Sequence, residues 1–417
     1  MTPAAGRALI CAHSHPAISK GGAEIAAWSL FEGVQAAGRD AWFMGCVSEP
    51  AARLGSAITQ PFGARQFLYA AGAFDWFKFA NQDASFPRQF GEVLTELRPD
   101  LVHFHHYVNF GLESFLHIRR VLPNCKIVLT LHEYQAICNH YGQMITRQRK
   151  SLCYGASPRD CNRCFPEFSQ ADFFLRRAYA MRFFDLVDQF IAPSRFLAER
   201  YVKWGLPEAR MAVIENVTAE VASAPPAPPP PSKVLRIGFF GQISLLKGIH
   251  VLLDAARLLE EAGATGIAFD IHGDHTNQPA EFQSDFLARL ETAGSNVRFH
   301  GAYDNARVDH LMRGVDAVLV PSIWWENSPV VIQECLRANR PVICSDIGGM
   351  AEKVRDGVDG LHFPVGSAAA LAGLLRELDA DRGRLAALMG SMRRPAPAAA
   401  TLAAHLRLYD EVCAAPC

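Results

Sequence analysis

Two stretches of this 417-residue chain combine the residue types needed to hold an anionic, hydroxyl-rich ligand. The first runs Pro321-Ser322-Ile323-Trp324-Trp325-Glu326-Asn327-Ser328-Pro329-Val330-Val331-Ile332-Gln333-Glu334. It follows an apolar strand pattern and opens a helix. Ser328 suits the N-cap and Pro329 the first helical position, where a missing N–H is no loss. The amides of Val330 and Val331 then point out of the helix N-terminus, where the dipole favours a diphosphate. Glu326 precedes this helix and Glu334 lies nearly two turns inside it. Carboxylates accept hydrogen bonds from sugar hydroxyls, so one can hold a hexose and the other a ribose. The same spacing also fits a capped helix with two solvated acids.

The second stretch is Gly238-Phe239-Phe240-Gly241-Gln242-Ile243-Ser244-Leu245-Leu246-Lys247-Gly248. It puts Lys247 at a strand-to-helix turn, where α/β proteins bind phosphates. A departing diphosphate gains negative charge as a glycosidic bond breaks. A fixed ammonium there favours the transition state over the ground state.

The first half of the chain holds further candidates. Gly21-Gly22-Ala23-Glu24 opens a helix after the first strand, and glycines there permit close backbone approach to a ligand. His132 ends the strand-like run Leu129-Thr130-Leu131. His103, His105 and His106 cluster after another strand, with alternation placing His103 and His105 on one face. Cys138, Cys153, Cys161 and Cys164 lie close in sequence, and the Cys-x2-Cys pair suits a tetrahedral thiolate site. A structural zinc there would clip the loop after His132; free thiols or a disulfide are the competing readings. The one Asp-x-Asp match, Asp379-Ala380-Asp381, lies far from the other elements and reads as surface charge. No cofactor is therefore expected in catalysis, with Lys247 and helix amides taking the electrostatic role of a metal.

These residues need a scaffold of strands ending at one cleft. Ala222–Ser232 reads ASAPPAPPPPS, which cannot form a helix interior or a sheet ladder and behaves as an extended spacer. It divides the chain into residues 1–221, a linker over 222–232, residues 233–395, and a last helical segment over 396–417. In both halves short, continuously apolar runs alternate with helical patterns. Before the linker these runs are 8–13, 41–47, 101–106, 126–132, 190–193 and 211–215; after it they are 235–240, 269–272, 297–300, 317–321 and 341–344. That alternation indicates parallel sheets covered on both faces, hence two Rossmann-like, doubly wound α/β domains facing an interdomain cleft. The last helix is expected to cross back onto the first domain.

Composition agrees with a folded chain: half the residues are hydrophobic, a fifth are charged, and the net charge is −1. Nothing in that balance favours a nucleic-acid partner. The basic runs Arg147–Lys150 and Arg176–Arg182 read as solvated faces, or as a docking surface for an anionic acceptor or a membrane lipid. The apolar stretch 8–12 is too short for a signal-peptide core, and no run is long enough to span a bilayer. The expected location is cytoplasmic, with peripheral association at the inner membrane face as an extension. Eleven cysteines without a secretory signal argue against a disulfide framework.

The ordered set resembles the retaining family 4 glycosyltransferases of the GT-B fold. It comprises a Gly-Gly loop after strand one, His132-Glu133 after a central strand, a Gly-x5-Lys-Gly turn, and a Glu-x7-Glu pair after Pro-Ser. The resemblance spans nearly the whole chain. It implies that Lys247 contacts the donor diphosphate, that Glu326 lies near the transferred sugar and that Glu334 binds the ribose. It also implies that His132 approaches the sugar and that the Gly21-Gly22 loop covers the diphosphate or shapes the acceptor pocket. The reaction implied is transfer of a hexose-type sugar from a nucleoside-diphosphate sugar to a saccharide or lipid-linked acceptor, in polysaccharide or glycoconjugate assembly. Two departures stand out. Gln242 occupies the place of the family's usual arginine, and Asn327 and Pro329 replace glycines. A catalytically silent nucleotide-sugar-binding protein and a GT-B epimerase are the competing readings. A nicotinamide dehydrogenase is disfavoured because the Gly-x-Gly-x-x-Gly fingerprint is missing.

Overall fold

The computed structural model describes residues 6–19, 21–48, 56–217 and 232–415. The proline-rich segment, apart from Ser232, lies outside the described residues. The chain forms two compact units: Met1–Glu220 with Pro397–Cys417, and Val221–Ala396.

Unit 1 contains strands β1 (Arg7–Cys11), β2 (Asp40–Val47), β3 (Ile58–Thr59), β4 (Gln66–Ala70), β5 (Phe74–Asp75), β6 (Ala80–Asn81), β7 (Leu101–Phe104), β8 (Lys126–Thr130), β9 (Gln189–Ala192) and β10 (Met211–Val213). Its helices are α1 (Gly22–Ala36), α2 (Phe86–Leu97), α3 (Glu113–Val121), α4 (Pro158–Cys164), α5 (Gln170–Phe184) and α6 (Arg195–Trp204). The main sheet has the order β10-β9-β8-β7-β1-β2-β4-β3, parallel throughout except for β3 at one edge. Every residue of β7 and β8 is buried, as expected of strands covered on both faces.

Unit 2 contains β11 (Leu235–Phe240), β12 (Ile267–His272), β13 (Val297–Gly301), β14 (Ala317–Val320), β15 (Val342–Ser345) and β16 (Gly360–Phe363). Between and after them run α7 (Ile249–Glu261), α8 (Ala280–Thr292), α9 (Val308–Arg313), α10 (Val330–Arg337), α11 (Gly348–Lys353), α12 (Ala368–Ala380) and α13 (Gly383–Ser391). Its sheet is wholly parallel, in the order β13-β12-β11-β14-β15-β16. This is a doubly wound arrangement whose strand order reverses between β11 and β14. Doubly wound sheets bind ligands beyond the carboxyl ends of the two strands at such a reversal.

A final helix, α14 (Ala398–Ala414), belongs to unit 1. Tyr409 joins the core formed by Ile10, Leu30, Phe31, Phe43 and Val128, with Leu402 and Leu406 packed against it. Arg39 grips Asp410 through two hydrogen bonds of 2.6 and 2.8 Å. A two-pronged contact of this kind fixes geometry better than a single bond.

Candidate active site

The reversal of strand order in unit 2 brings its two chemical stretches together. Lys247 follows β11 and Glu326 follows β14, the two strands that flank the reversal. Lys247 Nζ donates to Glu326 Oε1 at 2.6 Å. The same oxygen accepts from Ser322 Oγ at 2.8 Å and Trp324 Nε1 at 2.9 Å. Glu326 is only 5% exposed, so three donors converging on one oxygen offset the cost of burying the carboxylate.

Local backbone contacts set this geometry. The Ile323 amide donates to Leu246 O at 2.9 Å, tying the loop after β14 to the Lys247 turn. Gly248 has φ +73°, and a Cβ there would sit 1.9 Å from Pro321 O. Only glycine permits both that conformation and that approach. Beyond the loop, the Gly349 amide donates to Glu326 O at 2.7 Å, and a Cβ at Gly349 would meet Asn327 O at 1.6 Å.

Helix α10 begins one residue later than the sequence pattern suggested. Pro329, not Ser328, is its N-cap, with φ −65° and ψ 121°, and no side chain caps it. The reason is that ψ at Pro329 is extended, so the helical turn starts at Val330. The correction leaves Val330 and Val331 as the first two helical residues, whose amides lack an intrahelical acceptor. Glu334 is 5% exposed rather than solvated, and burial pushes its carboxyl pKa up. Asn305 Nδ2 lies 3.4 Å from its Oε1. Burial of both Glu326 and Glu334 overturns the reading of a capped helix with two solvated acids. Gln242 is exposed in the turn after β11.

Unit 1 assembles a different cluster at the carboxyl ends of β1, β7 and β8. Gly21 is the N-cap of α1 in extended conformation (φ −86°), so close approach rather than a left-handed backbone is what it offers. Its neighbour in the next turn, Glu24, is buried and pairs with His13 at 3.2 Å. The His13 and His106 rings pack edge to face at 4.8 Å, and His106 Nε2 is 3.2 Å from Glu133 Oε1. His132 Nε2 lies 3.0 Å from His105 Nδ1, with the rings stacked. Burial lowers the pKa of His132 to about 3 and raises that of Glu133 to about 8. His105 and His106 are likewise pushed well down by burial. These imidazoles are therefore neutral hydrogen-bonding groups. His103 packs against His105 with ring centroids 4.5 Å apart and bonds Tyr409 Oη and Thr130 Oγ1, both at 2.7 Å, which ties the cluster to α14.

The four clustered cysteines lie in the segment after His132 and on α4. Among the described residues, no three His, Cys, Asp or Glu side chains gather as a metal-ligand group. Cys161 and Cys164 lie on α4, and none of the four is joined in a disulfide. The Cys153 thiol donates to Gly155 O at 3.2 Å, while Cys164 Sγ accepts the Arg147 amide at 3.3 Å. Burial raises the pKa of Cys138, Cys153 and Cys161. Asp379 and Asp381 are engaged locally, Asp379 with Arg382 at 2.6 Å and Asp381 with the Gly383 amide at 3.1 Å.

Residues that sequence reasoning missed are Ser322, Trp324 and Asn305 around the glutamates, and His13 in unit 1. Ser322 stands four residues before Glu326, yet the intervening loop has no period from which to infer contact.

Two doubly wound parallel units, with polar clusters at the carboxyl ends of their strands, define the GT-B class of α/β protein. Sequence comparison gives the family: Glycosyltransferase Family 4 matches residues 20–218, and Glycosyl transferases group 1 matches residues 223–393. The chain belongs to this family. Its curated relatives include the phosphatidyl-myo-inositol mannosyltransferase of Mycobacterium leprae, 32% identical over 31% of this chain and 33% of the relative. Another is the lipopolysaccharide 1,2-N-acetylglucosaminetransferase of Salmonella typhimurium, 28% identical over 47% of this chain and 55% of that protein. The matches thus span about a third to a half of these relatives. Among solved structures, Anabaena HepE in complex with UDP-glucose has a TM-score of 0.62 at 16% identity, covering 98% of both chains. A Rickettsia africae glycosyltransferase has a TM-score of 0.67 at 14% identity, covering 99% of this chain and 100% of that one. At such identities the likeness is one of fold. Among the described residues no helix is long and apolar enough to cross a membrane.

Proposed function

We propose that this chain is a retaining glycosyltransferase that moves a hexose-type sugar from a nucleoside-diphosphate sugar to a saccharide or lipid-linked acceptor. The setting proposed is polysaccharide or glycoconjugate assembly at the cytoplasmic side. The observation that carries the reading is the Lys247–Glu326 ion pair at the β11/β14 reversal. A parallel sheet binds its ligand at that place, and the pair supplies both a cation for phosphate and an acid for the sugar. HepE was solved with UDP-glucose, which supports a nucleoside-diphosphate sugar as the donor class.

In this reading the amides of Val330 and Val331 and the ammonium of Lys247 receive the diphosphate. As the bond from the anomeric carbon to the diphosphate breaks, the leaving oxygen gains charge, and Lys247 stabilises it. Glu326, held by Ser322 and Trp324, faces the sugar; its negative charge favours the positive charge that develops at the anomeric carbon. Glu334 receives the ribose hydroxyls. Lys247 and the helix amides carry the electrostatic role without a catalytic metal. His132 contributes a neutral hydrogen-bonding group on the acceptor side, and the Gly21-Gly22 turn lets backbone approach the ligand.

The test is a panel of nucleotide sugars screened for protection against thermal unfolding, followed by NMR of the anomeric proton in the product formed. At least one donor should raise the melting temperature and give a product with the donor's anomeric configuration. Protection by none, or an inverted product, would overturn the reading.

A further inference from the structure

His105 is buried just past the end of β7, where its amide donates to Cys11 O at 2.8 Å. The backbone before His132 is pinned in the same way, the Leu131 amide donating to Ile191 O at 2.8 Å. Between these two fixed backbones, His105 Nδ1 lies 3.0 Å from His132 Nε2, with the ring planes 24° apart. The second nitrogen of His105, Nε2, is buried and has no hydrogen-bond partner among the described residues. The contact with His132 is therefore the one hydrogen bond that the His105 ring makes among them. Behind His105 stands His103, 4.5 Å away between ring centroids. Tyr409 Oη and Thr130 Oγ1 hold His103 at both of its ring nitrogens, so His105 packs against a ring that cannot turn freely.

Burying an imidazole costs free energy that a leucine in the same place would not, and more so when one ring nitrogen finds no partner. What the arrangement supplies is direction. Between two neutral imidazoles, one nitrogen must carry the proton and the other must accept it. The proton on one bridging nitrogen therefore decides where the proton of the facing ring sits. The two senses of this bond are unequal in energy. One leaves a lone pair, the other an N–H, at the unpartnered Nε2 of His105.

We infer that His105 is a positioning residue: its hydrogen bond holds His132 in one tautomer and one ring orientation, with His103 buttressing it from the side of α14. The second ring nitrogen of His132 then keeps a single role, always donor or always acceptor, toward whatever bonds it. The inference rests on the reading of His132 as an acceptor-side group in the proposed function. The tautomer itself is a property of unit 1 and needs no sugar transfer.

The test is NMR of the full chain carrying nitrogen-labelled histidine, with the His132 signals identified as those lost in His132→Ala. In the wild type the two ring nitrogens of His132 should be distinct, one protonated and one bare. In His105→Leu they should average as the tautomers exchange. With a nucleotide sugar that the wild type turns over, His105→Leu should lower kcat about tenfold and leave the donor KM within about twofold, as for loss of one hydrogen bond. His105→Asn, whose side-chain amide occupies the place of Nδ1, should restore most of kcat and the distinct signals. His105→Gln, whose amide reaches the place of Nε2, should restore neither. Equal loss of kcat in the Leu, Asn and Gln variants would mark a packing role and overturn the inference. So would averaged His132 nitrogens in the wild type, or nitrogens that stay distinct in His105→Leu. Failure to turn over any nucleotide sugar would instead overturn the proposed function, and the tautomer measurement would still decide this inference.

Discussion

At the carboxyl end of the unit 2 sheet, Lys247 and Glu326 meet in a 2.6 Å ion pair beside the open amides of α10. At the corresponding end of the unit 1 sheet, His132 and His105 meet in a 3.0 Å contact between imidazoles that burial holds neutral. Both clusters stand where a doubly wound sheet offers a crevice, yet they suit different tasks. A full charge held by short hydrogen bonds can stabilise charge that develops in a reaction. Neutral imidazoles can only orient, accept or donate. In the proposed function the contrast gives the charged chemistry to unit 2 and neutral hydrogen bonding to unit 1.

The largest effect should come from removing the cation. Lys247→Ala is expected to lower kcat by about 10²–10³-fold, the range for losing one group aimed at transition-state charge. A loss below tenfold in steady-state assays would break the contrast. His132→Ala should cost less, about tenfold to a hundredfold in kcat/KM, as for the loss of one buried hydrogen bond. If it instead matched the lysine variant, unit 1 would share the charged chemistry. Glu334→Ala should act on donor binding, raising KM for the donor about tenfold with kcat nearly unchanged, as for the loss of a hydrogen bond to a charged acceptor.

The smallest effect separates the units by pH. His132 falls from 6.5 to about 3 on folding, so between those values the unfolded chain binds a proton that the folded chain refuses. Stability is therefore lost as pH falls from 6.5 toward 3, and His103, His105 and His106 act in the same direction. Glu133 rises from 4.5 to about 8, so its folded form holds the extra proton and loses stability as pH rises through that range. Thermal melts across pH should show a steep acid limb and a shallow decline above 6.5, and Glu133→Gln should remove the decline.

Much of this was legible because parallel strands buried on both faces leave continuous apolar runs. β1, β7, β8, β11, β14 and β15 all coincide with such runs, and the stretches holding Lys247 and Glu326 do meet in unit 2. What sequence could not show depends on which strands become neighbours. His13 meets His106 only because β1 pairs with β7. Ser322 and Trp324 reach Glu326 through a loop whose path is set by Gly248 and by the Ile323–Leu246 hydrogen bond. The start of α10 shifted by one residue because Pro329 takes an extended ψ.

The most direct test is calorimetric titration of a nucleoside diphosphate into the wild-type chain, Lys247→Ala and His132→Ala. The account predicts saturable binding to the wild type and at least about tenfold weaker binding to Lys247→Ala, as for loss of a charged hydrogen-bonding partner. The His132→Ala affinity should stay within about twofold of wild type, because a neutral imidazole in unit 1 contributes no charge to the diphosphate. Equal affinity of the lysine variant and the wild type, or no binding by any of the three, would contradict it.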